Sequence, residues 1–272
     1  MPELPEVESV RRRLAPAMEH AVFRDVILRR RNLRGPFPKR FAARLVGQRV
    51  REVNRRAKYL VVPLSSGETL VMHLGMSGSF RVDRRGATLA TIPHDHVVFK
   101  MSSGATVTFN DPRRFGSMDL VPAGKLDTHP AIGSLGPEPL SPAFDGAALA
   151  RACRGRRTSL KAALLDQRVI AGLGNIYASE ALHLAGLSPT RRASTIATAA
   201  GAARPAAHRL AAAIKQVLTA AIDRQSRDDY RSSRFRVYDR EADPCRRGRC
   251  IGTIRRVTQG GRSTFYCPVC QR

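Results

Sequence analysis

The chain has 272 residues, with 47 Lys and Arg against 22 Asp and Glu, a formal charge of +25. That length allows one large domain or two smaller ones with their own cores, and charge of that size favours a polyanionic partner without choosing a fold. No run approaches the roughly 18 apolar residues of a membrane span, and MPELPEVESV lacks the apolar core of a signal peptide, so a cytoplasmic chain is predicted.

The basic residues are spread along the sequence: residues 1–60 hold 16 against 6 acids, and residues 224–272 hold 13 against 5. Such a distribution suits a folded surface tracking phosphates better than a disordered basic arm. An anionic membrane surface and simple solubility also account for the charge at this point. Val7, Val10 and Leu14 recur at helical spacing after Pro5, which predicts an opening helix. LVMHLGMSGSF (70–80) and HVVFKMSSGATVTFN (96–110) alternate apolar and polar residues and read as strands, with SSG at 102–104 as a hairpin turn. GSLGPEPLSPAFD (133–145) concentrates Gly and Pro and reads as a linker. Helices follow at 159–167 and 175–186, separated by RVIAGLG, and then at 204–223. In the last of these Leu210, Ile214, Val217, Leu218 and Ala221 form a stripe whose plain meaning is core packing. From 235 onward, short strand-like pieces surround four cysteines. The reading is an α+β multidomain chain: a β-rich domain at 1–132, the linker at 133–145, a helical domain at 146–234 and a small metal module at 235–272.

Cys245, Cys250, Cys267 and Cys270 have the spacing C-x4-C-x16-C-x2-C. Two close thiolate pairs about a hairpin apart match one tetrahedral zinc ion. Unrelated reduced thiols are the alternative, against which FYCPVCQ forms a knuckle-like turn. Four thiolates leave no open ligand position, so such a zinc is structural. It would hold a basic hairpin containing Arg255, Arg256 and Arg262 that is too small to fold on apolar burial alone. Cys153 lies far away and reads as a packing residue.

PELPEVE, HLGMSG, NDPRRFG, LGPEPL, GLGNIYASE and GRSTFYCPVCQ occur in that order from one end of the chain to the other. Together they resemble the formamidopyrimidine-DNA glycosylase family. The resemblance implies an N-terminal β-sandwich with a flanking helix, a helix-two-turn-helix domain and a C-terminal four-Cys zinc finger. It implies a monomeric base-excision repair enzyme acting on damaged double-stranded DNA, in the cytoplasm at the nucleoid, with one structural Zn2+ and no small-molecule cofactor.

The resemblance also assigns roles to residues. Pro2 is the nucleophile, which its chemistry suits: freed of Met1, it carries a secondary α-amine with a pKa of about 7.7–8.0, so a usable fraction is neutral. Its adduct with the sugar is an iminium ion able to drive β- and then δ-elimination. Glu3 is the acid that opens the sugar ring, Glu6 a second acid nearby, and Lys58 in RRAKYLVV an active-site cation. Met76, Arg113 and Phe115 match residues inserted where a nucleotide is rotated out of the duplex. His73, His94, Arg114, Arg156, Lys161, Asn175 and Arg262 match phosphate contacts, and Arg262 also matches a residue near the δ-elimination step. Of these, Asn175 is the clearest on physical grounds, because it opens a helix whose N-terminus attracts anions.

Two features depart from the family pattern. The first cysteine pair is spaced x4 instead of x2. RQSRDDYRSSRFRVYDRE (224–241) lacks the longer Gly-rich segment that covers an extruded 8-oxoguanine, which predicts an open base pocket and weak 8-oxoguanine selectivity. Two other readings stay open: an endonuclease VIII-like enzyme for oxidised pyrimidines, against which stands PELPE in place of PEGPE, and a non-catalytic DNA-binding zinc protein, which leaves Pro2, Glu3 and Lys58 without a purpose.

Overall fold

The computed structural model describes residues 2–83, 92–225 and 235–272. The chain divides into two compact units, Met1–Gly133 and Ser134–Arg272. None of the described helices is long and apolar enough to cross a membrane.

The first unit opens with α1 (Leu4–Met18), where Pro5 sits in the first turn, a place that needs no backbone donor. Val7, Val10, Leu14 and Met18 lie on one face and are buried, each contributing about 1.5–3 kcal/mol of apolar transfer. After α1 come β1 (Phe23–Leu28), α2 (Phe41–Leu45), β2 (Asn54–Arg56), β3 (Tyr59–Pro63), β4 (Thr69–His73), β5 (Ser79–Asp83), β6 (Asp95–Met101), β7 (Thr106–Asn110) and β8 (Ser117–Val121). They form two four-stranded sheets, ordered β1-β6-β7-β5 and β2-β3-β4-β8, in which every pair is antiparallel. Leu60, Val62, Leu70 and Met72 of one sheet and Val97, Phe99, Val107 and Phe109 of the other share a core with α1. The hairpin expected at 102–104 joins β6 to β7, with Gly104 at φ 84°.

Residues 70–80, which the sequence presents as one alternating stretch, belong to two strands in different sheets. The register explains why that matters. Tyr59 pairs with His73, and His73 with Ser117; in the other sheet Asn110 pairs with both Ser79 and Asp95. The start of β3, the end of β4, and the start of β8 therefore share one edge of their sheet. The sheet-crossing loops 74–78 and 111–116 leave from this end of the sandwich.

The second unit contains α3 (Gly146–Cys153), α4 (Leu160–Leu165), α5 (Asn175–Ala185), α6 (Pro205–Gln225), β9 (Arg255–Gln259) and β10 (Arg262–Tyr266). Asp145 and Ser159 cap α3 and α4 through their side chains. Leu210, Ile214, Leu218 and Ala221 of α6 are buried, as the stripe predicts, and Val217 is half-buried. The Gly/Pro-rich stretch is fastened to the loop between α4 and α5: Gly136 N–H donates to the Gln167 carbonyl at 2.8 Å and Ala171 N–H to that of Pro137 at 3.1 Å, and Phe144 is fully buried. Cys153 is buried, and burial pushes its thiol up to about 11, as befits a packing residue.

Candidate active site and metal centre

Pro2 is half-buried and lies just ahead of α1, for which Glu3 is the N-cap. Glu3 is 2% exposed. Its backbone is fixed from both sides, because its N–H donates to Glu6 Oε2 at 2.8 Å and its carbonyl accepts from Val7 N–H at 3.1 Å. Glu6 therefore has a structural task of its own, satisfying a donor at the helix start.

Lys58 occupies the second corner of the two-residue turn between β2 and β3 and is 7% exposed. The first corner, Ala57, has φ 54°, a conformation that favours glycine. A relay of side chains holds this turn. Arg55 donates from Nη1 to the Ala57 carbonyl at 3.1 Å and from Nε to Glu8 Oε2 of α1 at 3.2 Å. Burial pushes the Glu8 carboxyl upward, but hydrogen bonds from Arg11 and Arg12 and the Arg55 charge outweigh it and hold the group below its usual range. His73, at the end of β4, is pushed down to about 4, chiefly by burial and then by the Lys58 and Arg34 cations. It is a neutral imidazole at pH 7, with Nδ1 accepting from Gly75 N–H at 3.0 Å.

Loops 74–78 and 111–116 are held together by Asp111, which is fully buried. Its carboxylate accepts from the Ser77 hydroxyl and, at 2.8 Å, from Gly116 N–H. Ser77 Oγ in turn accepts from Arg113 N–H at 3.1 Å, and the Asp111 carbonyl is 2.9 Å from His96 Nε2. Gly75, at φ 64°, has no room for a Cβ, which would fall 2.3 Å from the Phe115 carbonyl carbon. From this rigid base Met76 and Phe115 project 41% and 44% exposed. The Arg113 guanidinium lies over the Phe115 ring at 5.0 Å. Arg114 and His94 are exposed and adopt positive φ, 57° and 73°.

In the second unit Asn175 opens α5. Its Nδ2 donates to the Ser263 carbonyl at 2.9 Å, while its buried Oδ1 has no partner. Gln167 shapes the loop before α5, donating to the Leu165 and Leu173 carbonyls and accepting from Gly172 N–H. Lys161 is 1% exposed, and its ammonium reaches the Ser263 carbonyl at 3.0 Å and Thr264 Oγ1 at 2.7 Å. Lys161 and Asn175 therefore share one carbonyl of β10, next to exposed Arg262 at the strand's start. Arg156 donates to the Ala152 carbonyl at 2.8 Å and pairs with Asp166 at 3.2 Å. Hydrogen bonds from Arg168 lead the effects that draw the Asp166 carboxyl down to about 2.

The four sulfurs of Cys245, Cys250, Cys267 and Cys270 lie within 4.8 Å of one another. Cys245 and Cys270 are 3.7 Å apart, and Cys250 and Cys267 are 3.6 Å apart. Metal–sulfur bonds of about 2.3 Å in a tetrahedron require sulfur–sulfur edges of about 3.8 Å, so the donor set fits one ion. Gly252 is obligatory beside it, since a Cβ there would meet Cys267 Sγ at 2.5 Å.

Family comparison agrees with this architecture. Residues 1–118 match the formamidopyrimidine-DNA glycosylase N-terminal domain, and residues 135–231 match the formamidopyrimidine-DNA glycosylase H2TH domain. The chain belongs to the formamidopyrimidine-DNA glycosylase family. It is 54% identical to the formamidopyrimidine-DNA glycosylase of Azorhizobium caulinodans and 55% identical to that of Rhodopseudomonas palustris, each alignment covering 100% of both chains. The crystal structure of the Thermus thermophilus MutM (Fpg) protein superposes with a TM-score of 0.81 at 40% identity, covering 99% of this chain and 98% of the other. The Lactococcus lactis enzyme in complex with FAPY-dG-containing DNA superposes with a TM-score of 0.86 at 28% identity, over 99% and 100%.

Sequence reasoning passed over several residues that this family fold brings into use. Asp111 stood inside NDPRRFG without a role, although an acid before proline is an ordinary turn-former. Nothing in the spacing of Arg55 and Glu8 reveals that they meet. Glu180, within NIYASE, is 5% exposed and accepts the backbone N–H groups of Arg236, Val237 and Tyr238 at 2.8–2.9 Å. An acid on the buried side of a helix is the signal that would have found it. Of residues 224–241, 226–234 lie outside the described residues, and Arg236, Val237 and Tyr238 are held by Glu180.

Proposed function

We propose that the chain is a bifunctional DNA glycosylase and abasic-site lyase of base excision repair that removes oxidised purines through Pro2. The observation that carries the reading is the head of α1: a Pro-Glu pair with Glu3 buried and its backbone gripped by Glu6. Removal of Met1 makes the Pro2 nitrogen a secondary amine, partly neutral at cellular pH. Its lone pair bonds to C1′ as the bond from C1′ to the base breaks, and the proton that the Pro2 nitrogen sheds passes to the departing base. Glu3, as the carboxylic acid, passes its proton to the ring oxygen, and the sugar opens to an iminium ion. The cationic nitrogen then draws in the electron pair of the C2′–H bond, whose proton passes to the Glu3 carboxylate, and the 3′ phosphate leaves by β-elimination; loss of a second proton, from C4′, expels the 5′ phosphate by δ-elimination.

In this proposal Lys58 neutralises a phosphate beside the lesion. His73 binds through a neutral N–H, since its environment disfavours the imidazolium. Met76, Arg113 and Phe115 fill the gap left by the extruded nucleotide. His94, Arg114, Arg156 and Asn175 hold the DNA backbone, and Arg262 serves the δ-elimination. Lys161 acts on the same strand by supporting the hairpin that carries Arg262. The four cysteines hold one structural Zn2+, the finger at 235–272 is a module added to the H2TH helices at 146–234, and the enzyme works as a cytoplasmic monomer on damaged duplex DNA. The short 224–241 segment weakens selectivity for 8-oxoguanine.

Reduction with borohydride in the presence of abasic-site DNA tests the mechanism. A covalent adduct whose peptide maps to Pro2 is expected, and an uncleaved N-terminal extension should abolish it while leaving duplex affinity nearly intact. An adduct on another residue, or none, overturns the proposal.

A further inference from the structure

His183 is a histidine with no part in the reaction above, 1% exposed near the C-terminal end of α5. Its Nε2 lies 3.3 Å from Cys245 Sγ, and its Nδ1 is buried with no partner. A ring that donates Nε2–H to sulfur keeps a lone pair on Nδ1, and leaving that acceptor unsatisfied costs on the order of 1–3 kcal/mol. A phenylalanine would fill the same space without that cost, so packing alone does not account for an imidazole here. The bond to sulfur does.

The rest of the residue is gripped by the same knuckle. Arg247, inside the C-x4-C loop, donates from Nη1 to the His183 carbonyl at 3.0 Å. A cation on a helix's last carbonyls is favoured by the helix dipole. Gly186 makes the approach possible: it sits at φ 70°, and a Cβ there would meet Arg247 Nη1 at 2.9 Å. Two residues of the knuckle thus hold one residue of α5, one through its side chain and one through its backbone.

We infer that His183 is a positioning residue for the metal centre, donating Nε2–H to the Cys245 thiolate and tying α5 to the zinc knuckle. Four thiolates around a dication carry a net charge of −2, and a donated hydrogen bond stabilises that excess charge and orients the ligand. The inference rests on the zinc reading above. Helix α5 also begins at Asn175, so the bond links the metal to the helix whose other end carries a DNA-contact candidate.

The test uses the full metal-loaded chain and reads zinc, not activity. Zinc content of the wild type is measured first, and then zinc affinity by competition with a chromophoric chelator. His183→Phe should weaken affinity about 10- to 100-fold, the range for removing a partner of a metal ligand. His183→Gln, which keeps an N–H donor, should recover most of the loss, and cobalt-substituted His183→Phe should show a shifted thiolate charge-transfer band. Arg247→Ala, a change in a partly exposed loop, should speed zinc release and covers the case in which His183→Phe does not fold. A wild type without zinc would refute the metal reading itself. Bound zinc in the wild type with unchanged affinity in His183→Phe, a Gln variant as weak as the Phe variant, or unchanged release from Arg247→Ala would overturn this inference alone.

Discussion

Burial selects the form in which His73 meets its surroundings. The imidazole is packed against Tyr59, with ring centroids 4.7 Å apart, and desolvation plus two cations push its pKa down to about 4. In the unfolded chain the same group titrates near about 6.5. Above that value both states are neutral and the group contributes nothing to the pH slope. As pH falls below it, the unfolded state takes up the proton first, so stability declines, and the loss is complete below about 4. Up to about 3 kcal/mol is at stake. Thermal melts from pH 7 to pH 4 should show this decline, and His73→Asn should flatten it; an identical slope in the variant would contradict the neutral-imidazole assignment. Glu8 works the opposite way, as a carboxylate kept ionised by arginines whose service is to hold Arg55 and, through it, the Lys58 turn.

At the level of elements, the end of the sandwich is built by two loops that pack backbone against backbone. Gly75 and Gly116 permit that approach and Asp111 ties it down. Placing alanine at Gly75 imposes a left-handed backbone on an L-residue, at about 1–2 kcal/mol, and also drives a methyl group into the Phe115 backbone. Gly75→Ala should therefore lower the melting temperature by several degrees. It should also reduce excision by at least tenfold, because Met76 and Phe115 lose their common base. A variant with wild-type excision would show that these loops need no fixed geometry. In the second unit, the finger strand is held by Lys161 and Asn175 on one carbonyl and the knuckle by α5, so its small core of Val237, Ile254 and Phe265 is not left to stand alone.

For the whole molecule the +25 charge governs encounter more than recognition. Each phosphate neutralised contributes a slope of about −0.9 to the dependence of log affinity on log salt. Binding to undamaged duplex should fall by at least about a thousandfold between 50 and 200 mM salt if six or more phosphates are engaged. Arg262→Ala should reduce the slope by about one; a slope unchanged by that substitution would remove Arg262 from the phosphate contacts.

How much of this could be read without coordinates follows the range of the interactions involved. Local periodicity is enough for α1, α5, α6 and the β6–β7 hairpin, because helix faces and turns are decided within a few residues of sequence. The four cysteines are equally legible, since thiolate spacing is chemistry written along the chain. The strand pair at 70–80 reads as one alternating stretch because nothing local says that residues 74–78 carry the chain from one sheet to the other. Asp111 with Ser77, Arg55 with Glu8, Glu180 with residues 236–238, and His183 with Cys245 are separated by 34, 47, 56–58 and 62 residues. Such pairs exist only once the chain has closed those loops. The sequence by itself determined which chemistry the molecule holds, because amines, thiols and cations keep their character in any fold. Only the tertiary structure decided which of those groups are buried, which are fastened to one another and which are left facing outward, because desolvation and hydrogen-bond partnership depend on neighbours that the linear order does not name.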